Sequence, residues 1–182
     1  MKVIGIVGMP GSGKGEFSAV SAELGIPVVV MGDVIREEVK KEGLPPVDAS
    51  MGIVARQLRE QYGMAAIAHV CIPVIESQNS QVVLIDGIRG DAEVKEFAEH
   101  FSDFILIAID SPLETRFDRL KVRGRSDDLK NISELNTRDE RESSFGLREA
   151  MGLATMRVQN TGTLDEYRCT VRSTLEQIAG AS

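Results

Sequence analysis

One stretch narrows the possible folds of this chain more than any other. A β-branched run, Val3, Ile4, Ile6 and Val7, delivers the backbone directly into Gly8, Met9, Pro10, Gly11, Ser12, Gly13, Lys14 and Gly15, after which a helical pattern begins. The spacing fits G-x-x-x-x-G-K, in the strand–loop–helix setting that gives the pattern physical meaning. Gly8, Gly11 and Gly13 permit backbone conformations and close approaches that side chains would obstruct. Successive N–H groups then turn inward at a helix N-terminus as a nest for an anion, and Lys14 adds a mobile cation. The plainer reading, a tight glycine turn beside an exposed lysine, needs the spacing and both flanking elements to coincide by chance.

The rest of the chain extends that beginning. Short apolar runs rich in β-branched residues predict strands at residues 3–7, 27–31, 81–86, 104–110 and 155–159, the last interrupted by Arg157. Longer periodic segments predict helices at residues 14–24, 33–42, 49–62, 65–77, 91–100, 112–122, 132–143 and 163–179. Strands and helices in this alternation imply an α/β fold, a parallel sheet covered on both faces, with ligands bound beyond the carboxyl ends of the strands. The length of 182 residues predicts one domain. Acids outnumber bases 28 to 21, a net charge of −7 that argues against general nucleic-acid binding. No apolar run approaches the roughly 18–20 residues of a membrane-spanning helix. The first residues lack the pattern of a signal peptide, and Cys71 and Cys169 make neither a disulfide framework nor a metal knuckle. A cytoplasmic protein with no membrane partner is the expectation; the oligomeric state is left open.

Three further places carry candidate chemistry. Asp33, after the second strand, reads as a helix N-cap, and Arg36 lies one turn later where it can reach a phosphate; a capped surface helix is the alternative. Asp86 closes the third strand, which places a carboxylate beside the glycine loop to orient Mg²⁺ or its water; a structural aspartate is the alternative. Between them, residues 43–63 contain Arg56, Gln57, Arg59 and Tyr62, while His69 and Cys71 fall in an apolar helix and read as core. Seven arginines crowd the segment from Pro112 to Arg148, together with eight acids. Arg116 and Arg148 read best as members of a salt-bridge-laced helix pair. Arg119 and Arg123 share one helix face at i, i+4, just ahead of Gly124 and Arg125.

These motifs resemble those of the P-loop nucleoside monophosphate kinase superfamily. G-x-P-G-x-G-K-G resembles the adenylate-kinase branch, although that branch has Thr where this chain has Glu16. The segment containing Gly32, Asp33 and Arg36 resembles T-G-D-x-x-R, and Asp86 to Arg89 resembles D-G-F-P-R with one residue fewer. Arg119 and Arg123 resemble the R-x-x-x-R that opens an adenylate-kinase lid, and Arg138 with Arg141 its returning arm. Asn160, Gly162 and the residues after them resemble the adenine-covering segment of dephospho-coenzyme A kinases. Taken together, the motifs resemble those of a mainly archaeal, adenylate-kinase-related group. The resemblance implies a three-layer αβα P-loop NTPase fold, with a five-stranded parallel sheet in the order 2-3-1-4-5. It also implies an acceptor-binding arm at about residues 33–78 and a short helical lid at about 125–143.

By the same resemblance, ATP and Mg²⁺ are the expected cofactors and a nucleoside monophosphate the expected acceptor. Gly8, Met9, Pro10, Gly11, Ser12, Gly13, Lys14, Gly15 and Glu16 would hold the ATP phosphates, and Asn160 and Gly162 the base. Asp33, Arg36 and Arg89 would hold the acceptor, and Asp86 the metal, through water. Lys14, Arg119, Arg123 and Arg138 would act on the transferring phosphoryl group, whose spread charge forked guanidiniums neutralise. A phosphate acceptor needs no general base. Two other readings stay open at this point: an alcohol kinase with Asp33 as proton acceptor, and a nucleotide-binding regulator or weak ATPase.

Overall fold

The apolar runs become parallel strands because both of their faces are covered. A computed structural model describes residues 1–123 and 131–180. Strands β1 (Lys2–Val7), β2 (Val28–Val30), β3 (Val82–Asp86), β4 (Phe104–Asp110) and β5 (Met156–Gln159) form one sheet in the order β2-β3-β1-β4-β5. All four pairings are parallel. This is the expected three-layer P-loop NTPase fold.

Alternate side chains of each central strand enter separate cores. Ile4, Ile6, Leu84, Ile107 and Ile109 join one cluster with Phe17, Val20, Val171 and Leu175. That cluster lies under α1 (Lys14–Glu23) and α9 (Leu164–Gly180). Val3, Val7, Val83, Ile85, Leu106 and Ala108 join the other, with Ile35, Val39, Ile75 and Phe97. Its cover is α2 (Met31–Lys41), α3 (Asp48–Tyr62), α4 (Ala66–Glu76), α5 (Asp91–His100) and α8 (Leu147–Gly152). The short α8 is absent from the sequence-based expectations. Each fully buried aliphatic or aromatic side chain contributes about 1.5–3 kcal/mol relative to exposure, so the two clusters are the main source of stability.

Two local expectations are corrected, and the expectation of a last strand is met. Helix α2 begins at Met31 with Val30 at its cap, so Asp33 lies within the first turn and is not the N-cap. His69 is a surface residue paired with Glu96 at 2.9 Å, whereas Cys71 is core, its thiol pushed up to about 12 by burial. Strand β5 forms in spite of Arg157. On this edge strand the guanidinium turns to the Asp110 carboxylate at 2.9 and 3.1 Å and to Met151 O at 2.9 Å.

The register gathers the strand ends that matter. Asp86 lies level with Ile6 of β1 and Val30 of β2. Asp110 of β4 lies level with Gln159 of β5. The glycine loop, the start of α2, the turn after β3 and the residues after β5 therefore meet at one edge. Two further helices, α6 (Leu113–Arg123) and α7 (Ile132–Ser143), stand beside it. Gly124, Arg125, Asp127 and Asp128, and the side chain of Arg123, lie outside what the structure describes, so the expected lid is described from Asn131 onward.

A buried ion pair fixes α6 and α7 to the glycine loop. The Arg116 guanidinium meets both oxygens of Asp139, at 3.0 and 2.6 Å, and also donates to Ser111 O and Pro10 O. Both side chains are buried. Asp139→Ala is expected to destabilise by about 3–5 kcal/mol, because the Arg116 charge stays buried without its partner. The double change Arg116→Met with Asp139→Leu should recover most of that loss in urea unfolding; equal losses would show that the pair contributes nothing through its charge.

Candidate functional site

The glycine loop holds its shape through its own backbone. Ser12 donates its N–H to Met9 O at 3.0 Å, and Glu16 and Phe17 both donate to Gly13 O at 3.1 Å. Among the described residues, the N–H groups of Gly13, Lys14 and Gly15 have no such partner, and no side chain caps the N-terminus of α1. A helix start with free donors and a positive dipole end suits an anion. Gly11 and Gly13 both adopt positive φ. Gly13 is also closed in: a Cβ there would lie 2.3 Å from Asn160 Nδ2 and 3.0 Å from the Tyr167 ring.

Lys14 folds back over the loop, its Nζ donating to Gly8 O at 2.5 Å and Met9 O at 3.4 Å. Burial pulls its pKa below the usual lysine value; Asp86 and Glu142 pull it up, and Arg89 and Arg116 push it down. Charged groups from β3, α6, α7 and the turn after β3 therefore all act on Lys14. An arriving polyanion would favour the charged form of the lysine, which burial opposes.

Asp86 is held by Ser18, whose hydroxyl donates to Oδ2 at 2.9 Å. Ser18 lies one turn after Lys14, so it supplies a hydroxyl that Gly15 cannot. Sequence reasoning missed it because the usual hydroxyl position directly follows the lysine. Glu16 is turned away from the loop mouth to pair with Arg168 on α9, which also holds Glu23. Among the described residues no three His, Cys, Asp or Glu side chains cluster as a metal site. A divalent ion here would use Asp86 and the ligand's own phosphate oxygens, a donor set that suits Mg²⁺.

On the acceptor side, Arg36 pairs with Asp33 and both are largely exposed. Arg89 is exposed and lies 3.6 Å from Glu142 Oε2. Glu142 is itself buried at the end of α7. Behind Arg89, the buried Glu93 carboxylate accepts from the N–H groups of Arg89 and Gly90 at 2.8 and 3.3 Å and from Arg59 Nη2 at 3.4 Å. Burial raises the Glu93 pKa. The Arg59 guanidinium also lies over Phe145, 5.8 Å from the ring centre. Arg59 thus ties α3 to Glu93 of α5, while Arg56 is exposed. Glu93 and Glu142 carried no motif; Glu93 had only its place three residues after Gly90 to mark it as a capping acid.

The residues after β5 close the other side. Asn160 is buried and bonds Ser12 O and Arg119. Arg119 also donates to Ser111 Oγ at 3.2 Å and Gly162 O at 3.4 Å. Arg138 is half-buried on α7. Arg123 ends α6. The site therefore has two wings around the loop: Arg89, Glu142 and Asp86 on one, and Arg119, Asn160 and Gly162 on the other.

A strand, glycine loop and helix with this lysine, beside a second strand ending in aspartate, define a P-loop NTPase. Residues 7–136 match a family model described as an AAA domain. A UPF0200 protein of Methanoculleus marisnigri is 56% identical over 180 residues, 99% of this chain and 98% of that protein. The chain belongs to the UPF0200 family. Among solved structures, TT1252 from Thermus thermophilus matches with a TM-score of 0.66 at 20% identity, covering 97% of each chain. A shikimate kinase from Aquifex aeolicus matches with a TM-score of 0.55 at 21% identity, covering 99% of each. At such identities these two share the fold. No helix among the described residues is long and apolar enough to cross a membrane.

Gly13→Ala is expected to lower the unfolding free energy by about 2 kcal/mol, through positive φ and the contact with Asn160. Gly15→Ala, where an added Cβ meets nothing within 4 Å, should change it by no more than about 0.5 kcal/mol or raise it. Urea denaturation of the two variants checks the contrast.

Proposed function

We propose that this chain is an ATP-dependent phosphotransferase that passes the γ-phosphoryl group to a small, nucleotide-like acceptor. The observation that carries this reading is the charged wing beside the glycine loop: Asp86, held by Ser18 of α1 at 2.9 Å, and Arg89, 3.6 Å from the buried Glu142. A site built only to hold a nucleotide has no need of a second charged wing.

In this reading the N–H groups of Gly13, Lys14 and Gly15, with the Lys14 ammonium, hold the donor phosphates. Mg²⁺ supplies charge neutralisation between those phosphates, and Asp86, steadied by Ser18, holds its water shell. Gly162 and Arg119 serve the base end. Arg36 and Arg89 take the acceptor phosphate, each leaving its present carboxylate partner. Arg123 and Arg138, from the two lid helices, close on the transferring group and exclude water. A phosphate acceptor is already ionised, so the reaction needs position and charge more than a base.

A hydroxyl acceptor is the second reading, and Glu142 favours it. This buried carboxylate acts on Lys14 and Arg89, where it would repel a phosphate but could take the proton of an attacking alcohol. Asp33, the sequence-based candidate for that task, is exposed and already paired with Arg36. The likeness to a shikimate kinase agrees with such an acceptor without identifying one.

A coupled assay over nucleoside monophosphates, dephospho-coenzyme A and other small alcohols, with a no-acceptor control, tests the proposal. Lys14→Ala should cut turnover by at least about 10²-fold with the fold intact. Acceptor-independent hydrolysis alone would overturn the kinase reading in favour of an ATPase, and nucleotide binding without turnover would favour a regulator.

Glu142→Gln separates the two acceptor classes. With a hydroxyl acceptor kcat should fall by about 10²-fold or more while the acceptor KM barely moves. With a phosphate acceptor kcat should hold or rise, because a repelling charge has gone.

A further inference from the structure

Asn160 touches two parts of the site at once. Its Nδ2 donates to Ser12 O at 2.8 Å, inside the glycine loop, and its Oδ1 accepts from Arg119 Nη2 at 2.8 Å. Its backbone N–H donates to Asp110 O at 2.8 Å, which anchors the residue to the end of β4. The partners fix the amide's orientation. Turning it over would set NH₂ against a guanidinium and oxygen against a carbonyl.

The bond to Ser12 O acts on the cradle through the geometry of the peptide plane. The Ser12 carbonyl and the Gly13 N–H belong to one planar trans unit and point in opposite directions. Holding that carbonyl outward therefore aims the Gly13 N–H to the loop's inner side. Gly13 admits this arrangement because no Cβ stands between its Cα and the Asn160 amide. Tyr167 supports the next peptide, its hydroxyl donating to Gly13 O at 3.2 Å. Arg119 reaches the same amide from α6 and is fixed further by Ser111 Oγ and Gly162 O. Burial lowers the Arg119 pKa, as expected for a cation drawn partly out of water.

We infer that Asn160 is a positioning residue that couples Arg119 to the phosphate loop, so that ligand contact at Arg119 tightens the loop's hold on phosphate. Resting on the nucleotide reading of the loop, this assigns the Asn160 side chain to the protein and leaves base recognition to backbone groups and Arg119. Coupling of this kind is reciprocal: phosphate in the loop must also favour the Arg119 arrangement that the base end meets.

Calorimetric titration with ATP and with inorganic tripolyphosphate tests the coupling, since tripolyphosphate carries the phosphates without the nucleoside. Asn160→Ala is expected to weaken both ligands, tripolyphosphate by about fivefold to tenfold, as for one lost buried hydrogen bond. Asn160→Asp keeps an acceptor for Arg119 but loses the donor to Ser12 O, and should weaken tripolyphosphate to a similar extent. It also serves as the near-isosteric variant if Asn160→Ala does not fold, judged by circular dichroism. Arg119→Ala should weaken ATP severalfold in the parent chain and much less in the Asn160→Ala background. Unchanged tripolyphosphate affinity in both Asn160 variants, or fully additive losses with Arg119→Ala, would overturn the coupling while leaving the nucleotide reading intact. Failure of the parent chain to bind either ligand would overturn both.

Discussion

An anion cradle made of backbone N–H groups works only while its peptide planes keep their aim, and much of this structure serves that requirement. Glycines let the loop adopt the necessary conformation but cannot hold it there, since they are the residues with most freedom to leave it. Rigidity comes from behind the loop. Arg116 holds the Pro10 carbonyl, Asn160 the Ser12 carbonyl and Tyr167 the Gly13 carbonyl. These anchors come from α6, from the end of β5 and from α9, all more than a hundred residues further along the chain. The N-terminal quarter supplies the glycine loop, and the C-terminal half keeps its carbonyls in place.

The charges follow a related logic. The chain carries a net charge of −7 and yet presents a site suited to polyanions. It does so by pairing cations with carboxylates: Arg36 with Asp33, Arg89 with Glu142, Arg116 with Asp139. The last pair is buried and structural, so it would resist exchange. The first two are exposed on the arginine side, where exchanging a carboxylate for a phosphate costs little. In the proposed reading, local positive potential would be released on contact with the ligand and not carried as a standing basic patch.

The sequence made the sheet legible because parallel strands buried on both faces are nearly continuous apolar runs, and because the glycine loop marks where the first crossover begins. The strand order expected from the family resemblance matches the structure. Helix ends were less legible. The sequence places a cap at Asp33, but the chain enters α2 directly from β2 at Met31, leaving no turn for a capping side chain to occupy. The supporting residues were least legible of all. Ser18, Glu93 and Glu142 act through partners on other elements, and the side-chain amide of Asn160 bonds a carbonyl of the glycine loop far away in the chain. Side chains whose meaning depends on contacts distant in sequence leave little local trace; a phosphate loop, whose working parts are consecutive, leaves a strong one.

The edges of the sheet carry a consequence for how the molecule behaves among its own copies. A parallel sheet leaves hydrogen-bonding groups unpaired along both outer strands, and a long bare edge invites strands from other chains. Here β2 has three residues and β5 four. On β5 the outer strand also carries Arg157, whose guanidinium is clamped to Asp110 and Met151. An approaching strand would meet a short template and a fixed charge. The residue that most disturbs the apolar pattern of the last strand is therefore well placed to limit aggregation, and a conservative-looking change to valine would improve the strand while removing that protection.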